Sequence, residues 1–336
     1  VASGHLFPAF AATVLGLGPI LAAEAGALDL RPGATESDGR ADLVPFGRTD
    51  WAAIGALRTA EDVFIQIGQL RLAETAGATA TQLGIQQVAE GLSALATVGG
   101  GQARRLRPVV RLRQERRFTR TQLREALARR LDDLVAEADD RAAAELWVLS
   151  TSKGALRVGL RVRTLGTRSR QPRRVERPGS VRPAVGAGMV RLLPRQGIVF
   201  DPCCGTGTIA IEAASVGFLA VAGDLDPAAV AAARANGAAV VLRLDARRLP
   251  LAADGVDAVV TNLPFGRQQR VQGSPIAWYR RVLQEALRVA PDLVVLAAPT
   301  LPFRQALGRL DVRLKSRYDL TLLGNRTTIW VLERGC

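Results

Sequence analysis

The sequence holds little of what nucleophilic, metal and redox enzymes most often use. Among 336 residues there is one histidine, His5, and there are three cysteines and two lysines, Lys153 and Lys315. A lone histidine near the first residue disfavours a Ser-His or Cys-His hydrolase and a histidine-ligated metal site. Cys203 and Cys204 are adjacent and Cys336 stands far from both. Neither a disulfide framework nor metal-ligand spacing is present, and this usage fits a reducing cytoplasm. A histidine or lysine placed to handle a hydride is missing too. No internal repeat is visible. Leu6 to Ala23 is uncharged but has no basic leader, contains Gly16, Gly18 and Pro19, and runs into Glu24. It reads as a strand followed by a helix in a soluble domain, not as a signal or membrane segment.

What is abundant is positive charge. The formal net charge is +14, and all but two of the 45 basic residues are arginine. Heavy use of Arg, Ala and Gly is also what a GC-rich genome produces, so the preference for Arg over Lys says little; the sign of the charge says more. A strongly basic soluble protein usually meets phosphates. Arginines crowd residues 104–130 and return over 161–182, on both sides of an expected hairpin, and nucleic acid is the expected partner. The bland alternative is a solvated, solubilising face.

Strands are expected at 10–14, 42–46 and 63–72, with helices at 17–27 and 51–57, which makes a small α+β sandwich. A helix over 82–95 ends before the flexible Gly99-Gly100-Gly101. Pro108 to Arg113 reads as an alternating strand. Residues 119–137 read as an amphipathic helix capped by Thr119 or Thr121. Strands 146–150 and 155–163 form a hairpin turning at Lys153-Gly154. Residues 161–182, with Pro172 and Pro178, read as a linker. Beyond Ser180 strands and helices alternate regularly, with strands at 198–200, 219–223, 240–244, 256–260 and 293–297. A closing hairpin spans 312–321 and 327–332. Such alternation implies a parallel sheet with right-handed crossovers, and the final antiparallel pair is an addition found in class I methyltransferases.

Two segments carry chemistry. Val199-Phe-Asp-Pro-Cys-Cys-Gly-Thr-Gly-Thr208 is a strand, a glycine turn and a helix start. Its Gly205-x-Gly207-x-x-Ala210 pattern alone is weak, since a helix N-terminus suits a pyrophosphate or the amino-acid end of S-adenosylmethionine. Asp201 separates these readings, because a carboxylate there accepts an ammonium and repels a pyrophosphate. Asp224 closes the next strand, where a carboxylate can accept ribose hydroxyls, and Asp245 follows the third, placed for an adenine amino group. The second segment is Asn262-Leu-Pro-Phe265 at the end of a later strand. An exocyclic amino group is a poor nucleophile because its lone pair is delocalised. The Asn262 side-chain oxygen and the Pro264 (or Leu263) carbonyl can hold both N–H bonds, turning the lone pair towards an incoming methyl group. Phe265 can stack on the base, which must leave its helix. The two segments together point to methyl transfer from S-adenosylmethionine to an amino nitrogen. Cys203 and Cys204 lie within the cofactor turn and are expected to pack behind the ligand. Trp278 and Tyr279 are expected in the core or at the substrate mouth.

Val199 to Ala214, Asn262-Leu-Pro-Phe-Gly266 and Arg177-Pro-Gly-Ser-Val-Arg-Pro183 resemble the THUMP-domain tRNA guanine-N2 methyltransferases. The resemblance implies a ferredoxin-like domain over 1–62, a THUMP RNA-binding domain over 63–165, a linker over 166–182 and a Rossmann-like methyltransferase domain over 183–336. It implies methylation of guanine N2 in the tRNA acceptor stem, with the THUMP module grasping the 3′ CCA end. By motif matching, Asp201, Cys203, Gly205, Thr206, Gly207 and Thr208 fall on the cofactor loop. Asp224 falls on the ribose carboxylate, Asp245 on the adenine contact, and Asn262, Pro264 and Phe265 on the catalytic tetrapeptide. Leu263 stands where many members have Pro, and Cys203-Cys204-Gly-Thr replaces a more usual Cys-Gly-Ser. A monomer working without metal or membrane is expected. The competing readings are a ribosomal RNA methyltransferase, an inactive RNA-binding protein, a DNA or protein-glutamine methyltransferase and, last, an NAD oxidoreductase.

Overall fold

The computed structural model describes residues 7–99, 101–113, 117–137, 140, 143–152, 154–167, 174–194, 196–264, 273–297, 300–308, 310–322 and 324–335. The chain divides into two compact units, Val1–Arg170 and Gln171–Cys336. The division falls inside the 166–182 stretch expected to be a linker.

The first unit runs β1 (Pro8–Val14), α1 (Gly18–Ala27), β2 (Glu36–Ser37), β3 (Ala41–Arg48), α2 (Trp51–Ala56) and β4 (Asp62–Arg71). It continues with α3 (Ala76–Ala80), α4 (Ile85–Thr97), β5 (Leu106–Arg111), α5 (Arg120–Leu131), β6 (Ala144–Ser150) and β7 (Ala155–Arg161). The strands form one sheet in the order β2-β3-β1-β4-β7-β6-β5. Period-two alternation separates its faces. Ala9 and Ala11 of β1 pack with Leu21 and Ala25 of α1 and Ile54 of α2. Phe10 and Ala12 face the other way, with Leu43, Phe64 and Trp147. β4 pairs with β1 on one side and β7 on the other, so residues before and after 62 share a continuous sheet.

Local signals account for most of the boundaries. Gly16 and Gly18 donate their amides to Asp42 Oδ2 at 2.8 and 2.9 Å, which fixes the entry to α1. A capping box between Thr119 and Gln122 starts α5. That helix stops at Leu131 rather than running to 137, and a 3₁₀ turn follows over Asp132–Leu134. Two aspartates at a helix C-terminus meet the negative end of its dipole, and Asp132 adopts a positive φ of 34°.

The second unit contains α6 (Pro183–Arg191), β8 (Ile198–Asp201), α7 (Thr208–Ser215), β9 (Leu219–Asp224), α8 (Pro227–Ala235), β10 (Val240–Arg243) and β11 (Ala258–Asn262). Then come α9 (Pro275–Val289), β12 (Asp292–Ala297), α10 (Thr300–Leu307), β13 (Val312–Leu322) and β14 (Asn325–Arg334). The sheet order is β10-β9-β8-β11-β12-β14-β13. β8 to β12 pair in parallel, and β14 inserts antiparallel between β12 and β13. α7 and α8 pack on one face through Ala210, Val230 and Ala233. α9 and α10 pack on the other through Val282, Leu283 and Phe303. The strand order reverses between β8 and β11, and in open α/β sheets the ligand crevice lies at such a switch point. Among the described residues, no helix is long and apolar enough to cross a membrane.

Candidate active site

β8 ends at Asp201, and the turn to α7 needs two residues that tolerate a positive φ. Gly205 (φ 52°) and Gly207 (φ 81°) supply them. A Cβ at Gly207 would lie 3.1 Å from that of Ala233, whereas one at Gly205 would meet open space. The turn is tied to β9, since Cys204 N donates to Gly223 O at 2.8 Å and Gly205 N donates to Asp224 Oδ2 at 2.9 Å. The other oxygen of Asp224 accepts from Asp226 N at 3.0 Å. Asp201 and Asp224 therefore close parallel strands at the same end of the sheet, with Gly205 bonded to Asp224.

Asp201 is 1% exposed. Its Oδ1 accepts from Thr261 Oγ1 at 2.8 Å and from Cys203 N at 3.2 Å. Burial pushes its pKa up to about 7; the Thr261 and Cys203 hydrogen bonds pull it down, and the Asp224 charge adds a smaller push upwards. Burial also pushes the thiols of Cys203 and Cys204 up, so neither is a ready thiolate, against a covalent mechanism through either.

Parallel pairing of β11 with β8 brings Asn262 to the same end of the sheet. Asp201, Cys203, Gly205, Thr206, Thr208 and Asn262 line one cleft. Asn262 Oδ1 is buried and, among the described residues, has no hydrogen-bond partner. An orphaned buried acceptor costs about 1–3 kcal/mol unless a donor arrives, so this atom marks a place for a ligand's N–H.

Other expected site residues are placed differently. The Pro264 carbonyl accepts from the Tyr279 hydroxyl at 3.1 Å, so one of its lone pairs is already used. Leu263 has its side chain fully buried. Asp245 lies outside the cleft lining. Arg247 Nε and Nη2 donate to its carboxylate at 3.0 and 2.7 Å and hold its pKa below the ordinary value. Phe265 lies outside the described residues.

The cleft also has a wall that the sequence reading took for linker. Arg177, Pro178, Gly179, Ser180 and Val181 line it opposite the glycine turn. Thr206 Oγ1 donates to Ser180 Oγ at 3.1 Å, and Ser180 Oγ donates to Arg177 O at 2.7 Å. The Pro-Gly-Ser composition masked this role, although the same residues carried part of the family resemblance.

A glycine turn between two strand-terminal carboxylates, on a sheet of this order with one antiparallel insertion, is the class I methyltransferase fold. Residues 170–326 match the family described as UPF0020: RMKL-like, methyltransferase domain. The chain is 32% identical over 186 residues to a human protein, tRNA (guanine(6)-N(2))-methyltransferase THUMP3, covering 47% of this chain and 36% of that one. It is 32% identical over 169 residues to a tRNA (guanine(10)-N2)-dimethyltransferase of Methanothermobacter thermautotrophicus, covering 47% of this chain and 50% of that one. The chain thus spans about half or less of the length of these curated relatives. The crystal structure of TrmN from Thermus thermophilus superposes with a TM-score of 0.74 at 24% identity, covering 98% of this chain and 99% of that one. These likenesses bear out the resemblance read from Val199–Ala214 and Asn262–Gly266.

Proposed function

We propose that this chain is an S-adenosylmethionine-dependent methyltransferase acting on the exocyclic N2 amino group of a guanosine in tRNA. The observation that carries the reading is the buried Asn262 Oδ1, without a hydrogen-bond partner among the described residues, sharing a cleft with Asp201 and the glycine turn.

The residues present fit S-adenosylmethionine. Asp201 offers the ligand's ammonium an acceptor, Gly205 leaves room for close approach, and Asp224 ends β9 where ribose hydroxyls would sit. Asp245 is the proposed adenine contact, once Arg247 shares or releases it. The bound cofactor would supply an electrophilic methyl group on sulfonium. The chain's own part is to hold the target nitrogen. Asn262 Oδ1 accepts one N–H, and the Leu263 or Pro264 carbonyl accepts the other. This sets the lone pair in line and stabilises charge growing on nitrogen. Phe265 is the proposed stacking partner for the extruded base.

In this reading the first unit combines the ferredoxin-like and THUMP folds and grasps the tRNA acceptor stem and 3′ CCA end. Exposed arginines on and around β5 and α5, among them Arg104, Arg105, Arg107, Arg120, Arg124 and Arg129, support contact with phosphates. A cytoplasmic monomer without a metal completes the proposal.

The test is incubation with labelled S-adenosylmethionine and tRNA lacking its own modification, with the methylated nucleoside identified by mass. Label in N2-methylguanosine, lost in Asn262→Ala, supports the reading. Label confined to ribosomal RNA, or to another base, overturns the substrate. Cofactor binding without transfer to any RNA would favour an inactive RNA-binding protein.

A further inference from the structure

Asn236 follows α8 as its C-cap, and its side chain makes three hydrogen bonds to backbone far from it in sequence. Val175 N donates to Asn236 Oδ1 at 2.9 Å, and Asn236 Nδ2 donates back to Val175 O at 2.9 Å. The second Nδ2 proton goes to Thr206 O at 3.0 Å. The carboxamide acts as a strand partner for Val175 and as an anchor for the glycine turn. Its orientation follows from its partners, because the oxygen meets an N–H and the nitrogen meets two carbonyls. Aspartate lacks the donors, and glutamine is longer by a methylene.

Thr206 lies between the two glycines of positive φ and is 1% exposed. Residues 175–181 are also held at the opposite end of α8, where Arg177 pairs with Asp226, the N-cap. The two ends of one helix therefore hold the start of this segment, at Val175 and Arg177, and the segment supplies the cleft residues Arg177 to Val181. Ser180 adds the direct link to the Thr206 hydroxyl.

We propose that Asn236 is a positioning residue for the cofactor site: it holds the 175–181 wall and the glycine turn at the spacing that cofactor binding needs, without touching the cofactor. The inference rests on the reading of the cleft as an S-adenosylmethionine site. Asn236 is half-buried and belongs to no hydrophobic cluster, so its loss acts on the spacing of the wall and leaves the core intact.

The experiment is calorimetric titration of S-adenosylhomocysteine into the wild-type chain, Asn236→Ala and Asn236→Asp, with amide hydrogen exchange over residues 175–182 and 204–208. Expected are a roughly tenfold weaker Kd for Asn236→Ala, faster exchange in both segments and an unchanged melting temperature. Asn236→Asp keeps the acceptor for Val175 N but loses both donors, and falls between the two. In turnover, KM for the cofactor rises while kcat at saturation and KM for RNA stay. Wild-type affinity and exchange in Asn236→Ala would overturn the role of Asn236. A global loss of stability matching the loss of affinity would reduce it to a structural cap. A wild-type chain that binds no S-adenosylhomocysteine would instead overturn the reading of the cleft.

Discussion

Thr261 Oγ1 donates to Asp201 Oδ1 at 2.8 Å, joining the strand that leads into the glycine turn to the strand that ends in Asn262. The carboxylate expected to take the cofactor and the amide expected to take the substrate thus belong to one hydrogen-bonded pair of strand ends. A shift of either strand would be felt at both.

Asp201 gives the site a pH dependence with opposite signs in the free and bound states. Its pKa rises from 3.8 to about 7 on folding. In the free protein, this contribution to stability is fully present below the unfolded value and is lost as pH rises through the folded one. The melting temperature of the free protein should therefore fall as pH rises from about 4 to about 7 and level off above that. A ligand ammonium needs the ionised form, so S-adenosylhomocysteine affinity should drop about tenfold per pH unit below 7, with proton release on binding near neutrality. Calorimetry in buffers of different ionisation enthalpy measures that release. Asp201→Asn should abolish it, and a pH-independent affinity in the wild type would refute the prediction.

Tyr279→Phe tests the anchor on the catalytic strand. Phenylalanine keeps the ring contacts with Trp278 and Phe303 and removes only the 3.1 Å bond to the Pro264 carbonyl. We expect kcat to fall about fivefold, in line with one lost hydrogen bond of about 1 kcal/mol, with S-adenosylhomocysteine affinity unchanged. Equal losses in both would place the tyrosine behind the fold rather than the motif.

Gly207→Ala should damage both stability and cofactor binding. The residue has φ 81°, and a methyl there meets Ala233 at 3.1 Å. Left-handed strain costs about 1–3 kcal/mol, visible as a lower urea midpoint. The comparison variant is Gly26→Ala, in α1, where a Cβ meets nothing within 4 Å and φ is not positive; it should not destabilise.

The first unit carries a buried ion pair whose loss is predictable. Arg157 is 3% exposed and donates to Glu36 Oε2 at 3.2 and 2.9 Å from Nε and Nη2, with Gln66 as a further partner. It also lies over the ring of Phe10. Glu36→Gln leaves a buried guanidinium without its counter-charge and should cost about 3–5 kcal/mol in denaturant unfolding. A cost under about 1 kcal/mol would show that Gln66 and Phe10 hold the charge without Glu36.

Most of the second unit was legible because its signals are local. Asp201, Gly205 and Gly207 announce a strand, a turn and a helix within a few residues, and Asn262 ends a run of buried apolar side chains. The wall Arg177–Val181 was not, because what fixes it lies at Thr206, Asp226 and Asn236, between 26 and 61 residues away. A separation of 15 residues likewise hid the Tyr279 bond to Pro264. Asp245 was recognisable as a strand-end carboxylate, but nothing in its spacing said that Arg247 would occupy both its oxygens. β2 and α3 were missed because two or five residues are too few to show a period.

The place of β14 has a bearing on how the second unit is made. This strand enters between β12 and β13, and its Trp330 and Leu332 complete the core that also holds Phe200 and Val259 of the central strands. During synthesis β8 to β12 can emerge in order, but their shared interior stays open until residues 325–334 leave the ribosome. The nascent domain then carries an unfilled seam beside β12 for the time taken to translate β13, and its final folding step is a long-range insertion. Stalled or shortened chains lacking that strand should expose the seam and be the species that chaperones and proteases meet first.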